Sequence, residues 1–203
     1  MKEKIKKSLW EMWGSRELPA EWDGKINGGG KGGQRFWEYF WVLDNLDYLR
    51  IDRLLDVGAG NLLFFPKLIS SVCEDIWAID PDINESCTNN QILKTNLSGF
   101  IEKHEDLTFD IITCISVLEH MPEQEQISFC ADLDRFTGST IILTFEFGKH
   151  PSAWNYQLNI FSVYKCLNEF KNHYMNKIEQ CPVWCENSNN GYWRPLGIVL
   201  KPM

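Results

Sequence analysis

A short, mostly apolar run that ends in two closely spaced glycines constrains this chain more than any other feature. Leu54-Leu55-Asp56-Val57 leads directly into Gly58-Ala59-Gly60-Asn61. Short continuous apolar runs of this kind are strands buried on both faces, as in a parallel sheet. The glycines then turn the chain where a side chain would be in the way. Similar runs recur along the chain, so strands are expected at 53–57, 76–79, 110–115 and 140–147, with short ones at 100–101 and 198–200. Helices are expected at 34–49, 62–72, 123–133 and 160–178, and 84–96 reads as helix or loop. The 34–49 helix, with Phe36, Trp37, Phe40, Trp41 and Leu43, is apolar on more than half its circumference. Strands alternating with helices give an α/β fold, a mostly parallel sheet covered on both faces. A length of 203 residues fits one domain.

Composition narrows the function classes. There are 20 basic and 28 acidic residues, a net charge of −8, and no nucleic-acid partner is expected of so acidic a chain. The seven cysteines are odd in number, spread out and often in apolar runs, which points to reduced thiols and a cytoplasmic protein. Cys181 and Cys185 make a lone pair with no second pair to complete four ligands, so no metal is expected there. No apolar stretch reaches the roughly 18–20 residues of a membrane helix. In residues 1–13, Ile5, Leu9, Met12 and Trp13 share one helical face while Lys2, Lys4, Lys6 and Lys7 lie mostly off it. That segment either packs on the domain or makes a weak contact with an anionic membrane surface. It lacks the long apolar run and cleavage site of a signal peptide. Residues 14–33 read as a loop, with glycine at 28, 29, 30, 32 and 33.

The chemistry lies at the strand ends, where ligands bind in such sheets. Asp80 closes the second strand 20 residues after Gly60, and a carboxylate there can accept both hydroxyl protons of a ribose. A dinucleotide site would place a third glycine at 63, which is Leu63. Asp56, just before the turn, would repel a pyrophosphate and suits a cationic group. A ribose, a positive sulfonium and an amine are combined in S-adenosylmethionine.

Three segments together resemble one family: Asp56-Val57-Gly58-Ala59-Gly60, then Ala78-Ile79-Asp80-Pro81, then Phe109-Asp110 through Val117-Leu118-Glu119-His120-Met121. Over about residues 50–150 the chain is similar to class I S-adenosylmethionine-dependent methyltransferases. The resemblance implies a Rossmann-like three-layer α/β/α sandwich with a mostly parallel seven-stranded sheet. It implies S-adenosyl-L-methionine as cofactor and S-adenosyl-L-homocysteine as product. By position, Gly58, Ala59 and Gly60 would face the methionine part, with Asp56 anchoring nearby. Asp80, followed by Pro81, would hold the ribose hydroxyls. Glu102, with Asp106 as its rival, would stand near the adenine. Cys114 and Ile115 would pass beside the sulfonium, and Asp110 would order the sheet. Glu119 and His120 are the catalytic candidates: His120 either takes a proton from an acceptor hydroxyl or, with Glu119, only fixes the start of the next helix. Some ubiquinone-pathway O-methyltransferases bind a metal through E-x-x-E-H; Ser116 replaces the first Glu here, and no metal is expected. Arg35 either pairs with the cofactor's carboxylate or sits in solvent.

The acceptor is addressed only by the ends of the chain. Trp22, Trp37, Trp41, Trp154, Trp184 and Trp193 flank the core. Beside Asp23, Asn155, Tyr156, Asn189 and Arg194 they form either a sugar-binding surface or a packed aromatic lid. The expected organisation is a single domain over 1–203, with 50–150 as cofactor core, 1–49 as N-terminal helices and glycine loop that cover it, and 151–203 as acceptor-side cover. The expected activity is methyl transfer to a small-molecule or glycan acceptor, as O-methylation of a hydroxyl. The alternatives are an inactive S-adenosylmethionine- or nucleoside-binding partner subunit, or methylation of a protein side chain. No feature of the sequence specifies an oligomeric state.

Overall fold

The computed structural model describes residues 33–46, 51–148, 158–181, 185–187 and 191–203. In chain order the elements are α1 (Gly33–Asn45), β1 (Arg53–Val57), α2 (Phe64–Ile69), β2 (Asp75–Ile79), β3 (Ile92–Leu93), α3 (Leu97–Lys103) and β4 (Ile111–Ile115). They continue with α4 (Glu123–Asp134), β5 (Thr140–Gly148), α5 (Ile160–Leu167), β6 (His173–Gln180), β7 (Cys185–Asn187) and β8 (Gly191–Pro202). The strands form one sheet in the order β3-β2-β1-β4-β5-β8-β6, and short β7 pairs beside β8. Neighbours from β3 to β5 are parallel, while β8 is antiparallel to both β5 and β6. Along that path of seven strands only β8 is reversed, the mostly parallel sheet expected.

Strand residues alternate between two cores, as the period of two requires. Leu54, Ile111, Ile115, Ile142 and Val199 pack with α1 and α2. Leu55, Val57, Ile112, Cys114, Ile141 and Leu143 pack with α3, α4 and α5 on the other face. Helix α1 lies close on β8: a Cβ at Gly197 would come within 2.6 Å of the Trp41 ring. Trp41 is buried, its Nε1 donates to Glu179 Oε2 at 3.0 Å, and it stacks on Trp37 with centroids 5.9 Å apart. Trp41 therefore glues helix to sheet and offers no face to a sugar.

Three expected elements are different in the structure, the first being 84–96, read as helix or loop, where strand β3 forms at Ile92–Leu93. Phe100 and Ile101 are not a strand but the buried face of α3, which Asn96 caps by accepting from the Gly99 amide at 2.8 Å. Leu97, Phe100 and Ile101 are spaced i, i+3, i+4, the helical period. The helix expected over 160–178 stops at Leu167, and His173–Gln180 is a strand. The cause is long-range. The Asp134 carboxylate, at the end of α4, accepts from the amides of Lys171 and Asn172 and from His173 Nδ1 at 2.7–3.1 Å. His173 Nε2 reaches the Ser139 carbonyl at 3.1 Å, so the chain is pinned where β6 begins. Described residues of the C-terminal segment thus complete the sheet. Residues 1–32, including the basic first segment, Trp22 and Asp23, lie outside the described residues, as do Trp154, Asn155, Tyr156, Trp184 and Asn189 and the side chains of Cys185 and Trp193. Among the described residues no helix is long and apolar enough to cross a membrane.

Removing the Asp134 carboxylate would orphan two amides and a buried imidazole. Asp134→Ala is expected to lower stability by about 3–5 kcal/mol in urea unfolding; a loss below about 1 kcal/mol would mean the pin is dispensable.

Candidate functional site

From β1 the chain goes outward to β2 and β3, then returns to place β4 on the other side of β1. At that reversal the loops leaving the strand ends diverge, and a crevice opens between them. A cavity of about 750 Å³ occupies it. Its wall is made by residues 57–62, 79–82, 95–97 and 115–117, by His120 and Met121, by Tyr39 of α1 and by Glu125 and Phe129 of α4.

The loop after β1 is held tightly. The amides of Gly58 and Ala59 donate to the Ile79 carbonyl at 2.8 and 3.2 Å. Gly58 and Gly60 adopt φ of 76° and 66°, a region that disfavours side chains. A Cβ on Gly58 would stand 2.2 Å from Val117 Cγ2, whereas among the described residues nothing lies within 4 Å of one on Gly60. Asp80 clamps two loops: Oδ2 accepts from the Gly60 amide at 2.9 Å and Oδ1 from the Asp82 amide at 2.7 Å. Pro81 is exposed beside it on the wall. Leu63, where a dinucleotide motif has its third glycine, takes φ 50°; in a non-glycine residue this costs roughly 1–2 kcal/mol.

The other side of the cavity is built by the end of β4. Ser116 takes φ 54°, its amide donates to the Thr144 carbonyl, and its hydroxyl donates to Glu38 Oε1 at 2.6 Å. A single 3-10 turn, Leu118–His120, follows. His120 is exposed on the cavity wall. Glu119 is not: it is 1% exposed, and its Oε1 accepts from the Glu146 amide at 3.3 Å, tying the turn to β5. Sequence reasoning did not single out Glu38 or Tyr39. Their only signal was polarity within the aromatic run of α1; Tyr39 packs on Phe64 with centroids 4.6 Å apart, and both line the cavity.

Several candidates stand away from the wall. Asp56 is 2% exposed on the α1–α2 side of the sheet, and Thr113 Oγ1 donates to its Oδ1 at 2.7 Å. Burial pushes its carboxyl up to about 7, the Thr113 hydrogen bond opposes that, and the nearby Asp80 charge adds to it. It therefore sits behind the loop, off the cavity wall. Cys114 points into the opposite core, where burial raises its thiol well above the usual range; of that pair only Ile115 reaches the cavity. Glu102 and Asp106 are exposed and off the wall; α3 replaces the expected strand, and Thr95, Asn96 and Leu97, at and just before its start, line the cavity instead. Asp110 Oδ2 accepts from the amides of Asp52 and Arg53 at 2.9 and 2.8 Å and so orders the start of β1. Arg35 falls within the backbone of α1, but its side chain lies outside the described residues. Among the described residues no three His, Cys, Asp or Glu side chains converge as a metal site.

Gly58→Ala should lower the melting temperature more than Gly60→Ala, because only the first adds a clash to the backbone penalty. Val117→Ala should restore part of the Gly58→Ala loss; equal losses at both glycines would refute the contact. The Asp56 carboxyl keeps its proton to about pH 7 when folded but loses it near 4 when exposed. The folded chain thus holds the extra proton between those values. Stability from this group is full below about pH 4, falls as pH rises toward about 7, and is level above. Asp56→Asn should flatten that slope in urea midpoints measured at about pH 5 and pH 8; an unchanged slope would place the titration elsewhere.

No family model matches the chain. A ubiquinone biosynthesis O-methyltransferase of Saccharophagus degradans is 29% identical over 112 residues, covering 50% of this chain and 46% of that protein. The chain thus spans about half the length of the curated relative it matches. Among solved structures, a Leishmania major S-adenosylmethionine-dependent methyltransferase matches with TM-score 0.62 at 13% identity, over 97% of this chain and 83% of that one. A Clostridium acetobutylicum S-adenosylmethionine-dependent methyltransferase gives 0.57 at 8% identity, over 97% of each. The magnesium protoporphyrin IX methyltransferase of Synechocystis, with S-adenosylmethionine bound, gives 0.54 at 15% identity, over 96% of each. With its strand order and its reversed β8, this chain has the fold of the class I S-adenosylmethionine-dependent methyltransferases.

Proposed function

We propose that the chain is an S-adenosylmethionine-dependent methyltransferase that methylates a hydroxyl of a small-molecule or glycan acceptor. The observation that carries this reading is the pairing of Gly60 and Asp80 on one cavity wall. Gly60 has open space where a side chain would stand, and Asp80 is locked by two backbone amides. Each carboxylate oxygen keeps a further lone pair for a hydroxyl donor, which suits a ribose. The cavity volume also lies within the roughly 300–1,000 Å³ of small-molecule sites.

The residues then divide the work. The turn at Gly58, Ala59 and Gly60 brings backbone close to the methionine part. Asp80 accepts from the ribose hydroxyls, and Thr95, Asn96 and Leu97 form the adenine end in place of Glu102. Asp80, Asp82 and Glu125 make the wall acidic, which favours a cationic ligand. The bound cofactor supplies an electrophilic methyl group on a sulfonium. His120 accepts the hydroxyl proton as the acceptor oxygen forms its new bond, and Ile115 to Val117 hold the alignment. Glu119 positions His120 through its bond to β5. Acceptor recognition is assigned to the two ends of the chain, 1–49 and 151–203, and Tyr39 of the first stands on the wall. The O-methyltransferase relative supports transfer to oxygen.

Calorimetry with S-adenosylhomocysteine should detect binding, and Asp80→Asn should weaken it about tenfold or more. Radiolabel transfer from S-adenosylmethionine to a panel of phenols and glycans should find an acceptor. With that acceptor, His120→Ala should keep cofactor affinity and lose roughly 10²–10⁴ in turnover. Absence of binding would end the proposal, and binding without transfer to any acceptor would favour a non-catalytic partner subunit.

A further inference from the structure

Ser116 is where the cavity wall changes direction. The ladder of β4 runs one step past its last residue, through the Ser116 amide and the Thr144 carbonyl at 2.8 Å. The chain then bends at a φ of 54°. Serine does not favour that conformation, because its Cβ crowds the following carbonyl. Here the hydroxyl donates to Glu38 Oε1 at 2.6 Å, with Ser116 5% and Glu38 2% exposed. The bend delivers Val117 against Gly58 and places His120 on the cavity wall. Glu38 belongs to α1, whose next residue, Tyr39, lines the same cavity.

We infer that Glu38 is a positioning residue: through Ser116 it holds the bend that sets Val117 and His120, so that docking of α1 and completion of the cavity are one event. The chemistry of the pair suits that task. A hydroxyl–carboxylate hydrogen bond is charge-assisted and short, and burial strengthens it by excluding competing water. A helix face that only packed against the sheet would carry an apolar residue here, since a buried carboxylate is unfavourable unless it is bonded. The consequence for cofactor affinity rests on the methyltransferase reading; the mechanical role of Glu38 does not.

The test compares Glu38→Ala, Glu38→Gln, Ser116→Gly and the Glu38→Ala/Ser116→Gly pair. Two quantities are read: S-adenosylhomocysteine affinity by calorimetry, and amide hydrogen exchange over residues 117–121, which needs no ligand. Glu38→Ala should weaken binding about tenfold and speed exchange at 117–121. Glu38→Gln keeps an acceptor for the Ser116 hydroxyl and should stay within about threefold of wild type. Glycine adopts the bend unaided, so adding Glu38→Ala to Ser116→Gly should change little, a non-additive result. Additive effects, or a Glu38→Gln as damaging as Glu38→Ala, would overturn the role. Should Glu38→Ala not fold, Ser116→Ala removes the same bond, and unchanged exchange at 117–121 in that variant overturns it equally. A wild-type chain that fails to bind S-adenosylhomocysteine sinks the methyltransferase reading, while the exchange data still decide the role of Glu38.

Discussion

Gly58 and Val117 meet so closely that no Cβ fits between them, 2.2 Å being far inside contact distance. The contact joins the loop after β1 to the loop after β4, the two sides of the point where the sheet reverses its order of growth. Most of the cavity follows from it. With the first loop pressed down, the Gly60 amide lies within reach of Asp80, which also holds Asp82. With the second loop pressed against it, the 3-10 turn carries His120 to the wall. Each side of the crevice packs against the other at this contact.

The two faces of the sheet do different work. The face toward α3, α4 and α5 seals the thiols of Cys114 and Cys130 in an apolar core and closes at its end on the buried Asp134–His173 pair. The face toward α1 and α2 carries buried polar pairs, Asp56 with Thr113 and Glu38 with Ser116. Buried polar pairs specify one arrangement, because any shift in register leaves a group unpaired in a low-dielectric interior. Helix α1 is thereby held in one position, with Tyr39 at the cavity and Trp41 over Gly197.

The architecture was legible in the chain because its signals are local. Apolar runs at Leu54–Leu55 and Ile111–Ile112 announce strands buried on both faces. The glycines at 58 and 60 announce the turn, and Asp80 marks the end of the next strand. Legibility failed where a distant partner decides. Tyr174 and Ile178 have helical spacing, yet Asp134 pins the chain just before them and they become strand residues. Asp56 reads as a charged group beside a ligand, but the pleat turns it behind the loop, where Thr113 takes it. Glu102 stands off the cavity wall because Phe100 and Ile101 are the inner face of a helix.

By itself the sequence determined the α/β alternation, the position of the glycine turn and the carboxylate that closes β2, since each depends on residues adjacent in the chain. The tertiary structure alone decided which carboxylates reach the cavity wall. Asp80, Glu119, Asp56 and Glu38 are chemically alike, and a local pattern that marks a strand end or a turn does not say which of them is buried and which faces the cavity. Folding sets Asp80 on the cavity wall, ties Glu119 to β5, and buries Asp56 and Glu38 against hydroxyls from β4 and its end. Their roles differ because desolvation and hydrogen bonding are properties of the surroundings, and those surroundings are assembled from segments far apart in the chain.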